Sequence, residues 1–176
     1  RVKLNLATMQ PSLVYLDAAT GDLIEKTALP AGLHKLSIRH LGETADGSLW
    51  FGSQYEGAET DRVPLVGVHR LGDAAPRLVS APEEAYAGLR QYIGAVAVND
   101  AGTRVAVTSP VGGNVLVFDA ATHDLIATRP IREVCGIAPD GADFFSSDAS
   151  GRLWRGTQLV SEFPEVMWDN HVRRIA

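Results

Sequence analysis

Short hydrophobic runs separated by turn residues extend along the whole chain. Runs rich in Val, Leu, Ile and Phe alternate with Gly, Asp, Pro and Ser, as in LVYLDAATGDLI at 13–24. This pattern predicts many short antiparallel strands joined by tight turns. Helical periodicity is nearly absent, and its best stretch, at 82–92, is long enough for about three turns. The pattern therefore favours an all-β fold.

Two kinds of repeat recur along the sequence. The segment VLVFDAATHDLI at 115–126 repeats the pattern of 13–24 with an offset of 102 residues. A strand, an Asp- and Gly-containing turn and a second strand recur at 36–53, 93–109 and 134–151. Such hairpins join consecutive antiparallel strands. The offset corresponds to two propeller blades, since one blade of four strands takes roughly 40 to 50 residues.

The two repeats interleave into units of four strands. They predict an all-β fold, a β-propeller of four-stranded antiparallel blades, with about three and a half blades present of an expected total of about seven. The expected units are a half blade at 1–30, blades at 31–81, 90–130 and 131–165, and a closing segment at 166–176. A β-sandwich is the alternative, although a sandwich does not require a repeat at this offset.

Composition and charge are those of an ordinary globular domain. Hydrophobic residues make up 45% and charged residues 21% of the chain. The formal net charge of −5 gives no electrostatic reason to expect nucleic acid as a partner. No apolar run is long enough for a membrane-spanning helix, so none is predicted. The single cysteine, Cys135, excludes an internal disulfide.

The chain opens at Arg1 in the middle of the repeat pattern. We therefore expect further blades, and any export signal, to lie upstream. Each blade of a propeller buries its faces only against its neighbours. The predicted blades should accordingly pair with the remaining N-terminal blades or with another copy of the chain.

Polar and aromatic residues collect in the loops at one end of the predicted blades, which we call the top face. This end holds the loops between the second and third strands of a blade and the connections between blades. The candidate binding residues on it are His34, Gln54, Tyr55, Arg90, Tyr92, Arg132 and His171. Such groups at a concave mouth predict a site for a protein partner or a small ligand. The sequence identifies neither a cofactor nor a metal.

Two histidine-containing segments invite a metal-binding interpretation. His34 and His40 fall on one face of a predicted strand, but six residues of strand span about 20 Å, so they cannot share one ion. We expect His40 to be a hydrogen-bonded structural residue, and His34 stays open between ligand and structural roles. The segment WDNH at 168–171 could hold a cation, but the favoured interpretation is a closing strand with a buried Trp168.

Other conspicuous residues have structural explanations. Cys135, near the start of a predicted strand, is expected to be a small core residue and not a nucleophile. Asp17 and Asp119 open the two DAAT turns and are expected to cap them. The sequence contains no GxSxG, HExxH, CxxC or phosphate-binding loop.

Several segments together resemble one bacterial family, Domain of Unknown Function 1513. They are RVKLNLATMQPSLVYLD, LHKLSIRHL, LWFGSQYEG and the terminal WDNHVRRI, and they match in order along essentially the whole chain. The resemblance implies the C-terminal half of a YVTN-like or WD40-like propeller. It also implies export to the periplasm by the twin-arginine route and genes adjacent to imelysin-like iron-uptake components and di-haem oxidoreductase-like proteins. No reaction follows from it.

Three functional hypotheses follow. The first is a non-catalytic periplasmic propeller that serves as a binding or scaffold component, linked to iron acquisition. The second is an enzyme, a metal-assisted hydrolase or lactonase, whose metal ligands would have to converge from several inner strands. The third is a purely structural protein-interaction module.

Overall fold

The computed structural model describes residues 5–175, which fold into fourteen short strands with little helix. The strands are β1 (Ser12–Leu16), β2 (Leu23–Ala28), β3 (Leu36–Glu43), β4 (Ser48–Tyr55), β5 (Val66–Arg70), β6 (Arg77–Leu78), β7 (Ala95–Val98), β8 (Arg104–Ser109), β9 (Asn114–Asp119), β10 (Leu125–Pro130), β11 (Val134–Asp140), β12 (Asp143–Asp148), β13 (Arg152–Arg155) and β14 (Gln158–Glu162). The helix α1 covers Glu83–Ala87, and 3-10 turns cover Leu6–Thr8 and Ala31–Leu33. No helix in this part of the chain is long and apolar enough to cross a membrane.

The strands form four antiparallel sheets, and each sheet consists of consecutive strands. A two-stranded sheet pairs β1 with β2, and three four-stranded sheets contain β3–β6, β7–β10 and β11–β14 in sequence order. The first strands of these three sheets, β3, β7 and β11, are neighbours, with β7 between the other two. We call them the inner strands. The predicted all-β architecture of antiparallel sheets is confirmed, and its arrangement is compatible with propeller blades.

The central strands of the β7–β10 sheet, β8 and β9, are buried on both faces. Val107 and Phe118 face the β3–β6 sheet, where the ring centroids of Phe118 and Trp50 are 5.9 Å apart. Ala106 points the other way and joins a second cluster with Phe144 of the β11–β14 sheet. Successive strand residues point to opposite faces, so an uninterrupted apolar run is what a doubly buried sheet requires.

Hydrogen bonds attach the two-stranded sheet to the β3–β6 sheet. The Tyr15 hydroxyl lies 2.8 Å from Nδ1 of the fully buried His69. The amide of Gly72 donates to Glu25 Oε2 at 2.8 Å. Leu13 packs into the same interface as a buried core residue. The outer face of the β1–β2 sheet leaves several apolar side chains about half exposed, namely Val14, Leu16 and Ile24.

The aspartates of both DAAT turns are structural, as predicted. Asp17 Oδ1 accepts hydrogen bonds from the amides of Ala19 at 2.9 Å and Thr20 at 2.8 Å. Asp119 makes the same two contacts in the second turn. These hydrogen bonds stabilise the charged carboxylates and lower the pKa of both side chains. Their carboxylate oxygens therefore stabilise the two turns.

The segment 163–175 forms no strand, and the blade that the predicted closing strand would complete is not among the described residues. Trp168 is half-buried, with its ring edge-on to Phe163 at a centroid distance of 6.0 Å. The segment turns instead towards the inner strands, which it contacts through side chains: the Asn170 amide group, for example, donates to the Gly94 carbonyl at 2.7 Å. Side-chain contacts of this kind replace the main-chain pairing that a strand would need.

Candidate functional site

Four of the seven predicted binding residues line one open cleft on the top face. Gln54 and Tyr55 come from the end of β4, whereas Arg90 and Tyr92 come from the segment between α1 and β7. The cleft has a volume of about 430 Å³. Its wall is completed by Glu56, Gly57, Glu59, Gln91 and Val111. We call it the top-face cleft.

Main-chain pairing fixes the distance between the two walls of this cleft. Gln54 and Tyr92 lie opposite each other in an isolated antiparallel bridge. The Tyr55 amide donates to the Gln91 carbonyl at 2.9 Å. Because backbone contacts join the end of β4 to the residues that lead into β7, the backbone that carries the side chains of the cleft is already in place without a ligand.

A strained turn places Arg90 in the cleft. Arg90 and Gln91 both adopt left-handed backbone conformations, with φ of 48° and 61°. Residues other than glycine rarely do so, and here neighbouring groups hold the turn. The Ser109 hydroxyl donates to the Leu89 carbonyl at 2.7 Å, and the Gln91 side-chain amide donates to the Ala58 carbonyl at 2.6 Å. Sequence reasoning missed this strain, which is stabilised by residues distant in the chain.

The polar groups of the cleft differ in their availability to a ligand. The Tyr55 hydroxyl donates to Asp61 at 2.8 Å, and this hydrogen bond raises the pKa of Tyr55. By contrast, the Arg90 guanidinium, the Gln54 side-chain amide and the Tyr92 hydroxyl make no hydrogen bond with other described residues. One cation and two neutral polar groups are thus free to contact a bound molecule.

A second, smaller pocket adjoins the top-face cleft at Arg90. It has a volume of about 180 Å³ and shares Glu59, Arg90 and Gln91 with the cleft. Its other wall includes Tyr86, whose hydroxyl donates to the Val79 carbonyl at 2.6 Å, and burial raises the pKa of that hydroxyl. Tyr86 was not among the predicted site residues, because it belongs to the apolar face of α1 and carries no signal in the sequence.

Comparison with known proteins identifies the family. The family model described as "Protein of unknown function (DUF1513)" matches residues 1–175. The chain belongs to the DUF1513 family. This match confirms the resemblance carried by segments such as LHKLSIRHL and WDNHVRRI. No curated protein matches the chain.

The other predicted residues of this DUF1513 chain do not line the top-face cleft. Arg132, with a side chain 86% exposed, lines a neighbouring depression beside the β8–β9 turn, which shares Val111 with the cleft. His34 ends the 3-10 turn before β3, and its Nδ1 lies 3.2 Å from the Ala31 carbonyl oxygen. The expectation that His34 and His40 share one strand was therefore wrong, since β3 begins only at Leu36.

His171 belongs to the C-terminal segment, near the inner strand β3. Its Nδ1 lies 3.0 Å from Asp169 Oδ1, and its ring centroid is 6.2 Å from that of His40. His40 Nε2 is 3.4 Å from the Asn170 side-chain nitrogen. Burial, with added repulsion from His171 and Arg39, lowers the pKa of His40. Within residues 5–175, no group of three or more His, Cys, Asp or Glu side chains is placed to hold a metal ion.

Cys135 is a buried residue at the start of β11. Its thiol donates to the Glu133 carbonyl at 3.0 Å. Burial, followed by the nearby carboxylates of Asp148, Asp169 and Glu133, raises the pKa of the thiol. A raised pKa lowers the population of the nucleophilic thiolate, in agreement with the predicted role as a core residue.

Proposed function

We propose that this DUF1513 chain is part of a non-catalytic periplasmic β-propeller of about seven blades that acts as a binding or scaffold component. The top-face cleft would hold its protein partner or small ligand. The observation that carries the proposal is the convergence of Gln54, Tyr55, Arg90 and Tyr92 on one pre-formed cleft. Top-face loops are the part of such a fold that varies without disturbing the sheets.

Arg90 gives the cleft one group that can bind a carboxylate of a ligand, although the acidic residues Glu56 and Glu59 line the same cleft. Arg90 supplies a guanidinium without an ion-pair partner among the described residues, and guanidinium groups bind carboxylates through paired hydrogen bonds. Gln54 can donate and accept, and Tyr92 adds an aromatic face with a hydroxyl. A carboxylate on a small molecule, or on the side chain of a partner protein, would satisfy Arg90.

Binding to this cleft can be measured with citrate and ferric citrate as probes, because both present carboxylates and the second tests the iron link. Replacing Arg90 with Ala should weaken binding about tenfold or more, since a charge-assisted hydrogen bond contributes roughly 1.5 to 3 kcal/mol. Arg70→Ala is the matched control, because Arg70 is exposed at the far end of β5. Titration calorimetry showing equal affinity in all three proteins, or no binding of either probe, would contradict the assignment.

The link to iron acquisition and the periplasmic location are the parts of this proposal that follow from what the family resemblance implies. A strain that lacks the whole gene should grow more slowly than its parent under iron limitation and should contain less iron. Complementation with the Arg90→Ala gene should restore neither property, whereas the Arg70→Ala gene should restore both. Unchanged growth and iron content in the deletion strain would contradict the link to iron acquisition. The binding site itself would then be tested by the titration alone.

A further inference from the structure

Residues 169–174 lie along the inner strands, away from the top-face cleft. The Asn170 side-chain amide donates to the carbonyl of Gly94, the residue before β7, at 2.7 Å. At the other end, Arg174 Nη1 lies 2.6 Å from Oδ2 of Asp100, just beyond the end of β7. The segment therefore follows β7 from one end to the other.

Between these two contacts, Val172 occupies a space that a glycine provides. A Cβ atom built on Gly136 of β11 would lie 2.3 Å from Val172 Cγ2, so no larger residue fits while Val172 is in place. Asn170, Val172 and Arg174 supply the three closest contacts of the segment. His171 and Arg173, between them, are exposed but line the adjoining space, and the His171 ring lies beside His40 of β3.

The segment is held by side chains alone. In the described part of the chain, no main-chain hydrogen bond joins residues 167–175 to the inner strands. The Arg174–Asp100 ion pair is partly exposed, with side-chain accessibilities of 60% and 41%. Asp100 also accepts the Gly141 amide at 2.8 Å, so its carboxylate is fixed in position whether or not Arg174 is bound.

Open space remains beside the segment. Two cavities of about 290 and 340 Å³ lie between it and the inner strands, and they are lined by His40, Val96 and Ile137 among others. The groove along β3, β7 and β11 is therefore wider than the segment within it. The segment contacts the groove at three separate places in the fold, which are the Gly94 carbonyl, Gly136 and the Asp100 carboxylate.

We propose that this inner-strand groove is a binding site for an extended peptide, and that residues 169–174 are a strap that occupies it within the same chain. A competing peptide needs a short amide side chain, a β-branched apolar residue and an arginine at alternate positions. Such a peptide, from a partner protein, would displace the strap and take over its three contacts. The proposal is independent of the top-face cleft.

The test uses the whole chain, labelled with ¹⁵N, and a synthetic peptide with the sequence of residues 166–175. The double variant Asn170→Ala with Val172→Ser weakens the strap and leaves the groove untouched. Without peptide, the amide resonances of Gly94, Asp100 and Gly136 should shift in this variant. Added peptide should return them towards their wild-type positions, with a dissociation constant at least tenfold lower than in the wild type, where the strap competes.

Met167→Ala is the matched control, because Met167 is 84% exposed, lines neither cavity and should behave as the wild type. Adding Asp100→Asn to the strap variant removes the charge that Arg174 contacts, so peptide affinity should fall at least fivefold. Resonances that stay at wild-type positions in the strap variant, or that do not respond to peptide, would overturn the proposal. If the double variant loses its dispersed spectrum, Asn170→Ala alone provides the same comparison.

Discussion

Replacing Tyr15 with Phe should loosen the attachment of the β1–β2 sheet to β5. His69 is completely buried, and its Nε2 faces two acceptors, the Asp73 carbonyl at 3.3 Å and Glu25 Oε1 at 3.4 Å. In the tautomer with the proton on Nε2, which matches these two acceptors, Nδ1 accepts the hydrogen bond of the Tyr15 hydroxyl at 2.8 Å. Removal of that hydroxyl leaves a buried nitrogen without its donor.

The expected loss follows from these contacts. A buried acceptor left without a donor costs about 1 to 3 kcal/mol. Tyr15 itself is only half-buried, so water can reach part of the space, and we expect about 1 to 2 kcal/mol. For a chain of this size, that loss corresponds to a melting temperature lower by roughly 3 to 6 °C.

The assay is urea unfolding of Tyr15→Phe beside Tyr55→Phe. The Tyr55 hydroxyl bonds to the exposed Asp61, so its removal should cost less than about 0.5 kcal/mol. In a double-mutant cycle with His69→Leu, the two losses should be less than additive by about 1 kcal/mol. Equal losses in the two Tyr→Phe variants, or full additivity in the cycle, would refute the reasoning about His69.

Two further predictions concern packing and pH. Gly67→Ala should destabilise the protein by about 1 to 3 kcal/mol in urea unfolding, because its Cβ would lie within 2.1 Å of the buried Phe51 ring. Gly32→Ala is the control and should be neutral, because a Cβ atom there would have no atom within 4 Å. Equal losses of stability in the two variants would contradict this explanation. The lowered pKa of His40 means that the unfolded chain binds the proton more tightly, so stability should fall as pH drops below the ordinary value of 6.5. Between pH 7.5 and about pH 5, His40→Gln should lose less stability than the wild type. If the unfolding free energies of the two proteins change in parallel with pH, the burial of His40 beside His171 does not govern the pH dependence of stability.

The strand order could be read from the sequence because local chemistry determines it. Hairpins such as 44–47 place Asp and Gly where a tight turn needs them, and the turn fixes which strands pair. The doubly buried central strands of the β7–β10 sheet follow from apolar runs such as 105–107, where both faces must be covered. Turn residues and burial pattern act within a few residues of one another, so one sequence is enough to predict them.

The candidate site could be predicted only in part. The repeat pattern places Gln54 and Tyr92 at the same end of neighbouring sheets, but nothing in the sequence shows that their backbones pair. Arg132 and His34 are on similar connections and yet lie elsewhere, because each loop follows contacts with residues far away in the chain. The course of 169–174 along β7 is of the same kind, since it depends on a glycine in another sheet.

A mismatch in strand length explains why the cleft is found at the β3–β6 sheet. β4 has eight residues and β5 has five, and their pairing ends at Gly52. Beyond Gly52, the Ser53 amide still donates to the Leu65 carbonyl at 2.9 Å, and residues 91–93 pair with the end of β4 in place of β5. In the next sheet, β8 and β9 pair up to Ser109 and Asn114, and a tight turn leaves no such gap. The binding properties of the top face should accordingly depend on the length of the 56–65 loop, while the sheets beneath it stay the same.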